Sequence, residues 1–287
     1  MRPSPFLASL SRRETMKLGA IAAVGMAFGA SACASASDGA NETAANQATG
    51  APASGLAPIT KAIPATGEPI PVIGLGTNQY SVESEEELAQ LQQVLEAMAQ
   101  QGGKVIDTAR GYGRAEEVIG TLLQRMGKRS DFFISTKEAG KLRYSGMSTS
   151  TDAQYEEQMA GMRKYPLDFI QVDYSIANRS AADAIIPLAQ ERKMAVMVNM
   201  PFGGRRDAQT TTFGRVSGKP LPDWAKDIDA TSWAQIFLKY VVSHPGVTVA
   251  IPGTTQVRHI IDNQGAGRGR LPDAALRAEM ERYWDSI

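Results

Sequence analysis

The chain has 287 residues, 43% of them hydrophobic, with 30 basic and 30 acidic side chains and therefore a formal net charge of zero. That is enough for one or two globular domains with a substantial core, and the balanced charge, without a dense Lys/Arg stripe, leaves no electrostatic footprint for nucleic acid. One cysteine, Cys33, and two histidines, His244 and His259, exclude an internal disulfide framework and are too few and too scattered for a metal cluster.

The N-terminus reads as an address. In "SRRETMK", Arg12 and Arg13 precede the apolar run "LGAIAAVGMAFGASA", which is too short to cross a bilayer as a helix. These are the two leading regions of a signal peptide. The Arg pair, followed by Thr15, Met16 and Lys17, resembles a twin-arginine signal, which exports proteins already folded around a cofactor. An ordinary secretory signal with a chance Arg pair is the alternative, and both readings put the protein outside the cytoplasm, periplasmic or exported. Residues 1–33 end at Ala30-Ser31-Ala32-Cys33, which resembles a lipobox, so the choice is lipid attachment at Cys33 or simple cleavage after Ala-x-Ala. Any membrane contact is expected only through the signal or that anchor. Residues 34–58, rich in Ala, Ser, Gly and Asn, cannot bury enough apolar surface to offset the entropy of ordering and read as a flexible linker.

Residues 59–287 read as one folded domain. "ITKAIPATGEPIPVIGLGT" has two extended pieces around Thr66-Gly67-Glu68, a hairpin by its Gly-containing turn. "SEEELAQLQQVLEAMAQQG" puts Leu88, Leu91, Val94, Leu95 and Met98 on one helical face, with Ser84 and Glu87 spaced as a capping box. The strand "KVIDTA" follows, then a helix with Val118, Ile119, Leu122, Leu123 and Met126 inward, then the strand "FFIST". "LRYSGM", "DFIQVDYS", "AVMVNMPFG" and "VTVAIPG" are further strands, each after a helix-like segment except the first. Short apolar strands alternating with amphipathic helices imply a parallel sheet covered on both faces. Repeated this often, they predict an α/β fold of the (β/α)8 TIM-barrel type with an N-terminal β-hairpin. A doubly wound open sheet is the alternative, although "IGLGT" lacks the Gly pattern of a dinucleotide fingerprint.

In such a barrel the chemistry sits at the C-terminal ends of the strands. Asp107 ends "KVID", Tyr112 lies in the next loop and Lys137 follows "FFIST". A free tyrosine titrates near pH 10; a buried ammonium beside it favours phenolate, and a carboxylate holds that ammonium charged and oriented. The trio makes Tyr112 a tuned acid.

"PVIGLGT", "VIDTARGYGRAEEVIG", "FFISTK", "GKLRYSGMST", "LDFIQVDYSIANR", "VMVNMPFGG" and "VAIPGTT", in this order from about residue 59 to the end, resemble the aldo-keto reductases. The resemblance implies a monomeric oxidoreductase in which NADP(H), or NAD(H), gives hydride to the carbonyl carbon of a small aldehyde or ketone. It puts Asp107, Tyr112 and Lys137 in catalytic positions. Ser148 and Thr149 fall where the family usually has Ser-Asn against the nicotinamide carboxamide, and Gln171 and Tyr174 match residues that hydrogen-bond that amide and stack on the ring. Pro201 belongs to the same cofactor set, as do Gly253, Thr254, Thr255 and Asn263 around the adenosine phosphate, with Arg258 facing a 2′-phosphate.

The family's fourth catalytic residue, a His at the end of its fourth strand, has no counterpart. "GKLRYSGM" looks like strand five, and only Glu138 to Lys141 separate Lys137 from Leu142, whereas parallel neighbours need a crossover of about a dozen residues. The expectation is a barrel of about seven parallel strands lacking one βαβ unit, most irregular at Glu138–Lys141. His244, before the last strand, is expected at the bottom of the barrel in a surface role. Three readings follow: a reductase with a weakened pocket, a non-catalytic barrel that keeps NAD(P)H or ligand binding, or a deleted, poorly folding copy of an active enzyme. The stretch Phe202–Asp229 is a lid or a surface insertion, and the last helix packs on the barrel without evident chemistry.

Overall fold

The computed structural model describes residues 55–137, 142–203 and 212–287. The signal peptide, the lipobox, nearly all of the linker and the Glu138–Lys141 junction lie outside the described residues.

The hairpin comes first, with β1 (Thr60–Ala62) and β2 (Pro69–Pro71) antiparallel. Gly67 in its turn takes a φ of 76°, the left-handed region that glycine enters without a Cβ penalty. The parallel strands are β3 (Leu75–Gly76), β4 (Val105–Asp107), β5 (Phe133–Ser135), β6 (Gly146–Ser148), β7 (Phe169–Asp173), β8 (Ala195–Asn199) and β9 (Val249–Ala250). They form a three-stranded sheet, β3-β4-β5, and a four-stranded sheet, β6-β7-β8-β9. Parallel bridges from Ile73 to Ala250 and from Gly76 to Gly253 join the two. The result is one wall in the order β5-β4-β3-β9-β8-β7-β6, an incomplete (β/α)8 barrel of seven parallel strands behind a hairpin, as the alternation predicts. Among the described residues no pairing connects β5 to β6, so the wall has a seam there.

Helices cover the outside. α1 (Glu85–Gln100) begins with the expected capping box, Ser84 and Glu87 each accepting the other's backbone N–H at 3.2 Å. α2 (Ala115–Met126) stops at Gly127, whose φ of 64° is a left-handed cap. The remaining cover is α3 (Tyr155–Lys164), α4 (Ile185–Glu191), α5 (Thr212–Val216), α6 (Trp233–Ser243), α7 (Val257–Gly265) and α8 (Ala274–Ser286). On α8, Met280 and Trp284 are buried, which makes it the predicted C-terminal packing helix.

Strand alternation sorts the side chains into two layers. Val105, Ala195, Met197, Val249 and Ile251 pack inside the wall, closed from below by Ile63 and Ile70 of the hairpin. Ile106 faces α1 and α2, while Ile170, Val172, Val196 and Val198 face the helices on the other side. Lys61 of β1 fastens this floor by donating to the carbonyls of Val242, His244 and Val247 at 2.8, 3.0 and 2.6 Å.

Among the described residues the seam is plugged at its base. The rings of Phe133, Tyr144 and Phe169 lie 5.6–5.9 Å apart in pairs across it. The Tyr144 hydroxyl donates to Glu68 in the hairpin, and Arg143 pairs with the same carboxylate at 3.0 Å. This shortens the expected strand "LRYSGM" to Gly146–Ser148. Tyr144 is drawn into the floor cluster and the Ser145 N–H goes to the Asp168 carboxylate at 2.9 Å, so regular pairing with β7 begins at Gly146.

His244 sits at the bottom of the barrel as expected, but its surface role is corrected. Its ring lies edge-on to Tyr174 at 5.5 Å and Nδ1 accepts the Gly246 N–H at 3.1 Å. Burial, with the charges of Arg277 and Lys61 nearby, lowers its pKa to about 4.

Tyr144→Ala is expected to lower the unfolding free energy by about 2 kcal/mol, because it empties the base of the seam; urea unfolding checks this. His244 is neutral when folded, so the stability it contributes is complete above its unfolded pKa of about 6.5 and is lost as the pH falls towards 4. Between pH 7.5 and 4.5, urea midpoints should show the parent losing about 1–2 kcal/mol more than His244→Gln, a figure already reduced for partial exposure.

Candidate active site

The strand ends bring the predicted trio together. Asp107, last in β4, is buried, and Lys137, two residues beyond β5, donates to its Oδ2 at 3.0 Å, its Oδ1 at 3.3 Å and the Thr108 carbonyl at 3.2 Å. Tyr112 ends the single 3-10 turn Arg110–Tyr112 between β4 and α2, and its ring packs against the core under those helices. The Lys137 Nζ stands 5.2 Å from the centre of that ring. Two expectations change here. The ammonium is not buried, since a third of the Lys137 side chain is exposed, and it faces the ring of Tyr112, with no hydrogen bond to the phenol among the described residues. Among the described residues β5 has a paired strand on the β4 side alone, which is the physical reason for the exposure.

Ser135 belongs to this cluster although the sequence reading passed over it. It stands opposite Asp107 in the β4–β5 register and donates from Oγ to Oδ1 at 2.8 Å. The signal was available: Ser135 has the inward parity of Phe133.

A second group occupies the ends of β6, β7 and β8. Ser148 faces Gln171 in register and donates to its Oε1 at 2.7 Å. Thr149 has the opposite parity, and its hydroxyl bonds to Gln154 Oε1 at 2.7 Å, outside the wall. Its carbonyl instead accepts from Asn199 Nδ2 at 2.9 Å. The stacking role expected of Tyr174 is overturned. Phe169 packs inside the wall while Ile170 and Val172 face the helices, so Tyr174 points outward too. It is 1% exposed, stacks on Tyr240 at 5.9 Å and accepts from Arg277 at 2.8 Å. Pro201 is buried in the turn after β8.

A cavity of about 570 Å3 opens over these three strand ends, lined by Ser150–Asp152, Asp173–Ser175, Asn178, Met200, Gly203 and Thr212. Burial, more than the neighbouring Asp152, raises the pKa of Asp173 above the usual carboxylate range, although Tyr155 and Asn178 donate to it at 3.1 and 2.6 Å. Beyond Thr212, the predicted lid or insertion is fastened to the outer helices: Phe213 meets Phe237, Trp224 meets Tyr283, and Arg215 lies 4.0 Å over Trp284. Its described part beyond Thr212 is therefore a surface insertion, and the stretch touches the cavity through Gly203 and Thr212.

The third group follows β9. Gly253 is exposed past the end of β9, bridged to Gly76, and a Cβ there would come to 3.3 Å from both Asn78 and the Gly76 carbonyl. The Thr254 hydroxyl accepts the Gln256 N–H at 3.1 Å, and the Thr255 carbonyl accepts from Gln90 at 3.1 Å. Arg258 is exposed in the first turn of α7, held to Gln256 at 2.9 Å. Asn263, further along the helix, is 3% exposed, so the structure does not bring it to the surface beside Arg258. His259 lies next to Arg258, and burial together with that guanidinium lowers its pKa.

A seven-stranded parallel barrel with an Asp-Tyr-Lys cluster at its strand ends defines the class, and the model of the aldo/keto reductase family matches residues 72–139 and 137–280. The chain belongs to that family. It is 25% identical over 171 residues to "Probable aldo-keto reductase 1" of Glycine max, covering 50% of this chain and 47% of that protein. It is 26% identical over 166 residues to pyridoxine 4-dehydrogenase of Escherichia coli strain K12, covering 58% and 51%. The chain thus spans about half the length of the curated relatives it matches. An aldo-keto reductase from Klebsiella pneumoniae, solved in complex with NADPH, shares the fold with a TM-score of 0.59 at 24% identity, over 80% of this chain and 96% of its own.

Removing the lysine of the Asp107–Lys137 pair leaves a buried carboxylate with its counter-charge gone and the Ser135 hydroxyl still donating to it. Lys137→Met should cost about 2 kcal/mol, less than a fully buried pair because solvent reaches the lysine. Adding Asp107→Asn should recover part of that loss, as a double-mutant cycle in urea would measure.

Proposed function

We propose that the protein is an NAD(P)H-dependent reductase of aldehydes or ketones, with Tyr112 as general acid. The observation that carries this reading is the convergence of Tyr112, Lys137 and Asp107 at neighbouring strand ends, in a chain that belongs to a family of oxidoreductases. The NADPH held by the Klebsiella pneumoniae protein and the dehydrogenase name of the Escherichia coli relative support the cofactor and the reaction type.

The residues present fit such a cofactor. The Gly253–Thr255 turn runs into the N-terminus of α7, whose first turn contains no acidic side chain. The positive end of the helix and Arg258 favour a phosphate there, and the missing Cβ at Gly253 keeps the approach open. Ser148 and Gln171 would hold the nicotinamide end, and Arg258 gives a mild preference for NADP(H) over NAD(H). When bound, the cofactor supplies hydride to the carbonyl carbon.

The protein's own residues manage the proton. The Tyr112 hydroxyl gives its proton to the forming alkoxide, and the nearby ammonium of Lys137 favours that release. Asp107 holds the ammonium in place, and Ser135 holds Asp107. Solvent at Lys137 weakens this field, which implies a modest rate and reactive substrates.

The missing strand-four unit is part of the proposal. A prealigned carbonyl donor contributes about 10² to 10³ in rate, and of the two histidines one caps the barrel floor and the other sits on α7. The open seam therefore favours a second reading, a non-catalytic NAD(P)H-binding barrel. Residues 1–33 support an exported protein, with Cys33 as a lipid tether in one version.

The full chain should bind NADPH with a fluorescence change and reduce a small reactive aldehyde, and Tyr112→Phe should cut turnover by at least about 10² without weakening NADPH binding. Turnover that survives the substitution would refute the mechanism. Binding without turnover would establish the second reading.

A further inference from the structure

Asn199 ends β8 with the inward parity of Ala195 and Met197. Its Nδ2 donates to the Thr149 carbonyl at 2.9 Å, while its Oδ1 is buried without a partner. Turning the amide over would set Oδ1 against a carbonyl oxygen, so the Thr149 contact fixes the orientation. A buried carbonyl oxygen left unsatisfied is costly, and a donor is owed to it from somewhere.

Its surroundings point to a ligand. Met200, the next residue, has a φ of 45°, a left-handed backbone conformation that a long side chain seldom adopts, and it lines the 570 Å3 cavity. Across the wall, Ser148 occupies the Oε1 of Gln171, which leaves the Gln171 amide nitrogen as a donor. Gln171 and Asn199 are diagonal neighbours on the inner face, because Gln171 pairs with Met197 and Asp173 with Asn199. One donor and one acceptor side by side match a primary carboxamide, which has one oxygen to accept with and one NH2 to donate with.

We propose that Asn199 is a cofactor-positioning residue whose Oδ1 accepts an N–H of the nicotinamide carboxamide, while Gln171 donates to the carboxamide oxygen. This rests on the NAD(P)H-binding reading above. It fills the place expected of Tyr174 with different chemistry, a hydrogen bond in place of a stacked ring. Oδ1 is enclosed, so the proposal requires the groups around it to move aside on binding.

The test compares two dinucleotides on the full chain by calorimetry: NADP+ and its 3-acetylpyridine analogue, in which a methyl group replaces the carboxamide NH2. The parent should bind NADP+ about tenfold more tightly, the value of one such hydrogen bond. In Asn199→Ala that preference should fall below about threefold, mainly through weaker NADP+ binding. Asn199→Leu, which keeps the volume, provides the same reading if the alanine variant does not unfold cooperatively. A preference that stays near tenfold in a folded variant, or a parent that binds both dinucleotides equally, overturns the role of Asn199 and leaves cofactor binding intact. A parent that binds neither overturns the cofactor reading and this inference together.

Discussion

Two parallel strands can lie side by side only if the chain between them is long enough to return to the same end of the sheet. The short run from Thr136 to Ser145 is not, and the rest of the architecture follows from that constraint. The wall must run the other way round, from β5 through β4, β3 and β9 to β6, and it must end in two edges. Unpaired edges expose backbone polar groups to solvent and to stray pairing. Here both edge strands are three residues long and the gap between them is plugged below by Phe133, Tyr144 and Phe169. The hairpin holds that plug through Glu68 and is itself held by Lys61.

The constraint reaches the chemistry through solvent. Asp107 remains buried because β3 and β5 flank β4 on both sides. Lys137 projects from the last strand before the seam and has no such shelter. The two members of one ion pair thus lie in different dielectric surroundings, and the pairing with Ser135 and the Thr108 carbonyl compensates by fixing geometry where burial does not. On the far lip Ser148 is similarly exposed, yet it is held by Gln171 of the well-paired strand β7.

Much of this was legible in the sequence, and for identifiable reasons. The capping box at Ser84, the apolar faces of α1 and α2, the hairpin turn and the succession of strands are local patterns, and each survives folding unchanged. The deficit of one unit was legible as well, because connection length is a property of the chain alone. What misled was parity. Tyr174 looks like a strand-end aromatic, but the alternation that places Phe169 inside turns Tyr174 out towards Tyr240 and Arg277. The same count, applied consistently, would have selected Ser135 and Asn199 and would have turned Thr149 away. His244 misled for a different reason: its place before the last strand, at the barrel floor, suggests solvent, and only the long-range contacts with Lys61 and Tyr174 reveal a half-buried cap.

A closed hoop resists distortion equally all round, whereas a split ring pinned at one end of its slit behaves as a pair of tongs. Tyr144 and Glu68 form the pin, at the floor. Lys137 and Ser148 stand on opposite jaws, at the end farthest from it. A small rotation at the pin would therefore displace most the two places where the proposed reading mounts the support of its proton donor and the anchor of its cofactor, which ties that reading to the stiffness of an aromatic cluster at the base.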